Sequence, residues 1–244
     1  SKYVNGKIFR GIVTGLNEAF IIDENTKSEL ISKNAEVSNV IKTFLQGKEI
    51  KKWRAKSSSY IIFTNHGVDI KRYPEIIEYL RPFKAKLEQR ATSNKHKWYE
   101  LQQPQTGIYQ YFEEDKITWG NLATEPKFAF DETSSYVSAP ANIIPTKDLF
   151  LLAVLNSPLC KWLISLQAAV RAGGFLEYKP MYVETIPIVQ AGDKLKAPII
   201  KLVETILAAP DSPDVTRLEG EINKLLFALY DLTEEEIEIV EGKT

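Results

Sequence analysis

A change of periodicity at Gln190-Ala191-Gly192 divides this 244-residue chain into parts that call for different secondary structure. Beyond it the apolar residues recur every three or four positions. Asp193 can cap a helix with Leu195, Ile199, Leu202, Val203 and Ile206 on one face. Ser212-Pro213 starts another, carrying Leu218, Ile222, Leu225, Leu226 and Leu229, and Thr233 with Glu236 forms a capping-box signature for a last short helix. Before the boundary, β-rich runs are brief and turn residues separate them. The resulting expectation is an α+β fold: a mixed, short-stranded sheet region through about residue 190 with two helical insertions, then a helical C-terminal section over 191–244 packing on it.

Within the first part, Ile8 to Thr14 and Ala19 to Asp23 flank Gly15-Leu16-Asn17-Glu18 and read as a hairpin or strand–loop–strand. Tyr60 to Thr64 reads as a strand ended by Asn65-His66-Gly67. Between Asp69 and Arg90 the pattern is helical, with Pro74 at a first helical position and a break or kink at Pro82. Lys116 to Trp119 and Lys127 to Phe130 alternate like half-buried strands, and Gln102, Gln103, Gln105 and Gln110 cluster in the loops before them. A Leu-periodic helix interrupted by Pro158 covers Asp148 to Ala169. Arg171-Ala172-Gly173-Gly174-Phe175 reads as a flexible loop, and Met181 to Val189 as extended.

Composition narrows the chemistry. One Cys rules out a disulfide scaffold and any multi-cysteine metal site, and two His leave little for zinc or a histidine triad. No phosphate loop, nucleophile elbow or HExxH is found, and Cys160 sits in an apolar helical pattern that suits a buried hydrophobe. Asn156-Ser157-Pro158-Leu159 lacks the second proline and the aromatic of an amine-gripping methyltransferase loop, and lies within the Leu-periodic helix. No stretch of about 18 residues is apolar enough to span a bilayer. These features point to a cytoplasmic protein without a membrane partner, and the start at Ser suggests a piece of something longer.

The formal charge of -1 conceals a gradient. Residues 1–100 carry 19 Lys and Arg against 11 Asp and Glu, whereas 191–244 carry 6 against 12. Within 41–99 the count is 14 against 5, interleaved with Trp53, Tyr60, Tyr73, Tyr79, Trp98 and Tyr99. A cationic segment with aromatics and downstream amides suits duplex DNA, because Lys and Arg meet phosphates while Gln, Asn and Arg pair with base edges. It is equally the composition of a solvated face balanced elsewhere.

Several phrases in fixed order resemble the TaqI-like C-terminal specificity (target-recognition) domain of type IIG restriction–modification enzymes and related adenine-N6 DNA methyltransferases. They begin with Gly11-Ile12-Val13-Thr14-Gly15-Leu16-Asn17-Glu18-Ala19-Phe20, then Leu45 to Trp53, Tyr79-Leu80-Arg81-Pro82-Phe83-Lys84 through Arg90, and Lys97-Trp98-Tyr99-Glu100-Leu101. Lys116-Ile117, Leu155-Asn156-Ser157-Pro158, Thr185-Ile186-Pro187, Leu218 to Asn223 and Leu229 to Ile237 follow. Trp119-Gly120 replaces the aromatic–Pro pair expected after Lys-Ile.

The resemblance implies that 1–190 selects a sequence in double-stranded DNA while an upstream methyltransferase domain, absent from this chain, binds S-adenosylmethionine and flips the adenine. No cofactor and no catalytic residue is expected in the chain itself. The candidate phosphate contacts are Lys51, Lys52, Arg54, Arg81, Lys84, Arg90, Lys95 and Lys97. Base readout falls to Gln103, Gln105, Gln110, Asn121 and Arg171, in loops at 102–121 and 171–179. Thr14 and Asn17, in the opening turn, either touch the backbone of DNA or close that turn, and Trp98 and Tyr99 are assigned to core packing. Two other classes stay open: a protein-interaction module using the acidic helical tail, and an enzyme whose site the motifs do not reveal.

Overall fold

The computed structural model describes residues 3–243. It is α+β, with three sheets among those residues. The largest runs, in spatial order, Phe9–Arg10, Asn142–Pro145, Lys116–Trp119, Phe128–Asp131 and Trp53–Arg54. Only its last pair is parallel. A four-stranded sheet orders Ile21–Ile22, Ser59–Ile62, Ile41–Leu45 and Tyr136–Val137, and a small antiparallel one orders Val170–Arg171, Phe175–Glu177 and Leu122–Ala123.

Of the two alternatives near the N-terminus, two strands joined by a loop form and the hairpin does not. Phe9–Arg10 pairs with Asn142–Pro145 and Ile21–Ile22 pairs with Ser59–Ile62, so each run finds its partner far along the chain. A helical turn, Asn17–Phe20, lies between them. Gly11 explains the tight passage, since a Cβ there would lie 2.5 Å from the carbonyl oxygen of Val137.

The large sheet is a wall between two cores. Ile143 and Ala129 belong to the first, with Phe20, Phe44, Leu80 and Tyr136. Ile117, Trp119, Phe128 and Ile144 belong to the second, with Trp53, Phe150 and Leu152. Because successive residues of a strand face opposite sides, covering both faces buries every position of Lys116–Trp119. The expectation of half-buried strands is corrected accordingly. The second core also takes Ile199, Val203, Ile206, Ile222 and Leu226 from the C-terminal helices, with helix Asp193–Ala208 packed against Leu149–Leu155.

Local signals fix the remaining elements. Pro74 starts helix Pro74–Leu80, and a tighter 3-10 turn over Arg81–Phe83 accommodates Pro82 before Lys84–Glu88. Ser157 caps Pro158–Ser165, separating it from Leu149–Leu155. Buried Asn156 accepts from the amide of Phe128 at 3.0 Å and donates to its carbonyl at 2.8 Å, splicing the interhelix corner onto the sheet. Thr233 and Glu236 form the reciprocal capping box of Glu234–Glu241. Gly192 is the cap of Asp193–Ala208, and Asp193 is the first helical residue, where its charge favours the helix dipole. The segment expected to be extended after Met181 begins instead with a short helix, Pro180–Val183, which Pro180 initiates. No helix among the described residues is long and apolar enough to cross a membrane.

Candidate functional site

The opening turn is built around Arg90. Its guanidinium is buried and donates to the carbonyls of Leu87, Thr14, Trp98 and Glu100 at 2.8 to 2.9 Å. Burial lowers its pKa to about 10. Gly15, at φ +78°, lies against it: a Cβ would meet Arg90 Cδ and Gln102 Oε1 at 2.6 Å. The Thr14 hydroxyl donates to Asn17 Oδ1 at 2.6 Å, so these two side chains close the turn. Burial sets Arg90 apart from the exposed candidates for phosphate contact. Its donors are committed inside the fold, and sequence alone gave it the same standing as the exposed cations beside it.

Around this turn the structure gathers part of the phosphate set. Lys86 bridges to Glu18 at 2.7 Å, drawing helix Lys84–Glu88 onto the opening turn. Lys84 Nζ stands 5.6 Å from the Trp98 ring and Lys97 Nζ 5.8 Å from the Tyr99 ring. Trp98 and Tyr99 pack against the first core, as expected. Arg81, Lys95 and Lys97 are exposed and form no ion pair among the described residues. Gln103 pairs through its backbone with Val13, and Gln105 Nε2 donates to the Gly11 carbonyl at 3.2 Å, so both residues lie beside the segment that leads into this turn. Gln110 is exposed further along, its amide 3.4 Å from the Gly107 carbonyl.

Lys51, Lys52 and Arg54 lie elsewhere, at the edge of the large sheet. Lys51 is exposed and has no ion pair among the described residues. Lys52 pairs with Glu219 at 2.9 Å, Arg54 pairs with Asp211, and Trp53 Nε1 donates to Glu219 at 2.6 Å. These partners belong to the acidic C-terminal section. Lys52 and Arg54 thus fasten the helices to the sheet, and a phosphate contact by either would compete with these ion pairs. Part of the excess charge of 41–99 is neutralised where the two ends of the gradient meet.

Asn121 and Arg171 come together at the small sheet. The Asn121 carbonyl accepts from the Tyr178 amide at 2.8 Å, and its Oδ1 accepts from buried Asn142 at 2.6 Å. The stretch expected to be a flexible loop is a hairpin in which Val170–Arg171 pairs with Phe175–Glu177, turning through Gly173 and Gly174 at φ +78° and +75°. Arg171 Nε and Nη2 both donate to Glu177 Oε1, at 2.8 and 2.6 Å, and Lys179 holds Oε2 at 2.6 Å. Lys179 and Arg171 keep the Glu177 carboxyl below its ordinary pKa of 4.5. Glu177, Lys179 and exposed Phe175 were missed in the sequence, although a Gly-Gly pair between two short runs is a hairpin signal.

Cys160, Lys116 and Asp131 are enclosed by the fold. Cys160 is fully buried and burial pushes its thiol upward. Lys116 and Asp131, opposite each other in the large sheet, pair at 2.8 Å with both side chains buried. No group of three or more His, Cys, Asp or Glu among the described residues could hold a metal ion.

Residues 42–188 match the TaqI-like C-terminal specificity domain family. The chain is 25% identical over 234 residues to the Type II methyltransferase M.MjaIV of Methanocaldococcus jannaschii, covering 90% of this chain and 77% of that protein. Its fold is similar to that of the Type IIL restriction-modification enzyme MmeI in complex with DNA, with a TM-score of 0.70 over 93% of this chain at 16% identity. The chain spans 33% of that enzyme's chain.

Proposed function

This chain belongs to the TaqI-like C-terminal specificity domain family, and from that premise we propose that it is the sequence-specific, double-stranded DNA recognition module of an adenine-N6 methyltransferase or type IIG restriction–modification enzyme. The observation that carries the reading is the exposed, unpaired pair Lys95 and Lys97, in the segment that buried Arg90 holds against the opening turn, together with exposed, unpaired Arg81. Such cations cost a fold nothing to place on phosphates, since no internal partner must be given up. With Lys51, and with Lys84 turned from its loose exposed pair with Glu88 at 3.7 Å, they make the phosphate-contacting set. Gln103, Gln105, Gln110, Asn121 and Arg171 read base edges, while Thr14 and Asn17 serve the turn.

In this reading residues 1–190 hold the recognition surface and 191–244 are a scaffold. An upstream methyltransferase domain takes the flipped adenine, and this chain grips and registers the duplex meanwhile. S-adenosylmethionine supplies the methyl group in that other domain, and no residue of this chain is assigned to it. The methyltransferase relative and the DNA-bound structural neighbour support the reading.

The test is duplex binding at two salt concentrations. Five phosphate contacts give a slope of about −4.5 in log K against log salt, or roughly a 500-fold loss between 50 and 200 mM. Salt-independent or absent binding by the full-length protein would overturn the proposal, and capture of a protein partner by the acidic helices without DNA affinity would favour an interaction module.

A further inference from the structure

We infer that the Val170–Glu177 hairpin enters the major groove of the target duplex, where Arg171 reads a guanine and Phe175 packs on the methyl group of a neighbouring thymine. The inference rests on the DNA-recognition reading above and adds to it a groove, two bases and a positioning residue, Glu177.

The register carries the argument. Arg171 and Phe175 are cross-strand partners, so their side chains leave the same face of the ribbon, and Glu177 lies two residues on along that face. Glu177 Oε1 takes the Nε and Nη2 protons on one edge of the guanidinium. The other edge, formed by Nη1 and the second proton of Nη2, points away from this carboxylate. That is the fork that matches the O6 and N7 acceptors of guanine. Lys179 holds the second oxygen of Glu177, so the carboxylate stays on Arg171 and its charge is offset. The Glu177 side chain is 9% exposed and that of Arg171 is 57% exposed, so the support lies within the fold and the arginine projects from it.

The outer edge of Arg171 is exposed, and exposed apolar groups contribute little to stability, so stability alone does not account for this face. Phe175 is 41% exposed and Leu122, opposite Glu177 on the next strand, is 56% exposed. Two cations against one carboxylate give the face a net positive charge that suits a polyanion. Leu122–Ala123 pairs only with Leu176 and Glu177, so from Arg171 to Phe175 the hairpin stands beyond that third strand as a two-stranded ribbon, a girth that fits the major groove, and its Gly173-Gly174 tip carries no side chain to obstruct the approach. An apolar group beside a guanine-reading arginine is then positioned to meet a thymine methyl, the one apolar feature of that groove.

The experiment selects bound sequences from a randomised duplex pool with the full-length protein and its Arg171→Ala, Arg171→Lys, Phe175→Leu and Glu177→Gln variants. The wild type should select a motif containing guanine next to thymine. Arg171→Ala should lose preference for that guanine by about 5- to 150-fold while keeping every other position. Arg171→Lys, which keeps the charge and folds if the hairpin does, should lose most of it too. Glu177→Gln should weaken preference at that same position alone, a change that a merely structural role would not confine to one base. On the selected duplex, 7-deazaguanine at the site should weaken wild-type binding and leave Arg171→Ala unaffected. Deoxyuridine for the thymine should do the same for wild type against Phe175→Leu. If the wild type selects a motif and the Arg171 variants select the same one, the hairpin inference fails and the recognition reading stands. If the wild type selects no motif, both fail.

Discussion

Arg90 donates to the carbonyl of Thr14 at 2.8 Å across 76 positions of sequence, and this contact holds the opening turn against the Lys84–Glu88 helix. A lysine cannot reach four carbonyls from one rigid fork. Arg90→Lys should therefore lower unfolding stability by about 2 to 4 kcal/mol in urea titration. The slope of DNA affinity against salt should stay unchanged in the folded fraction. Full stability with a slope smaller by one contact would return Arg90 to the phosphate set.

Gly15 faces the same arginine. Alanine there must adopt a positive φ and place its Cβ within 2.6 Å of Arg90 Cδ. The backbone cost alone is about 1 to 2 kcal/mol, and relief of the clash would disturb the Arg90 contacts. Gly15→Ala should lower the urea midpoint, and the double variant with Arg90→Lys should cost less than the sum of the two singles.

The basic segment should split in two by function. Charge reversal at Lys95 and Lys97 should weaken binding to all duplexes alike and reduce the salt slope by about two. Lys52→Met should leave that slope unchanged and destabilise the fold by less than about 1 kcal/mol, since its partner Glu219 is still partly solvated. A loss of salt dependence in Lys52→Met would contradict its role as a fastener.

Lys116 donates to the Phe112 carbonyl at 2.7 Å as well as pairing with Asp131. Lys116→Met strands a buried carboxylate and should cost about 3 to 5 kcal/mol in chemical denaturation. Lys116→Met with Asp131→Leu should recover much of that loss, because the neutral pair removes the unpaired charge. A single variant as stable as wild type would show that the pair is dispensable.

Acid should loosen the hairpin. Glu177 has its pKa lowered by Lys179 and Arg171, so the folded form binds its proton less readily than the unfolded chain does. Its contribution is present above the ordinary value of 4.5 and is lost as pH falls through the lower folded value. Amide exchange at Val170–Glu177 measured across that range should rise selectively, and Glu177→Gln should abolish the pH dependence.

The sequence made legible what depends on neighbours along the chain. The helices after Gly192, the Thr233 capping box and the break at Pro82 each rest on a local pattern, and each formed. What it hid depends on distant partners. Phe9–Arg10 and Ile21–Ile22 look like one hairpin because nothing near them marks Asn142–Pro145 or Ser59–Ile62 as their mates. A buried guanidinium and an exposed one are the same letter, so Arg90 could not be told from Arg81. The candidate site was legible as residue types in a basic, amide-rich stretch. Its division into a turn supported by Arg90 and a hairpin supported by Glu177 needed the strand pairings.

Swapping sequence preference between such proteins depends on where the cut falls. Because Ile199, Val203, Ile222 and Leu226 complete the core that Trp53, Phe128 and Phe150 begin, a graft that stopped at Gln190 would arrive with raw apolar surface and an orphaned Trp53 indole. Crossovers that keep Trp53, Phe128 and Phe150 with the trailing helices should leave this core whole, and those at Gln190 should not.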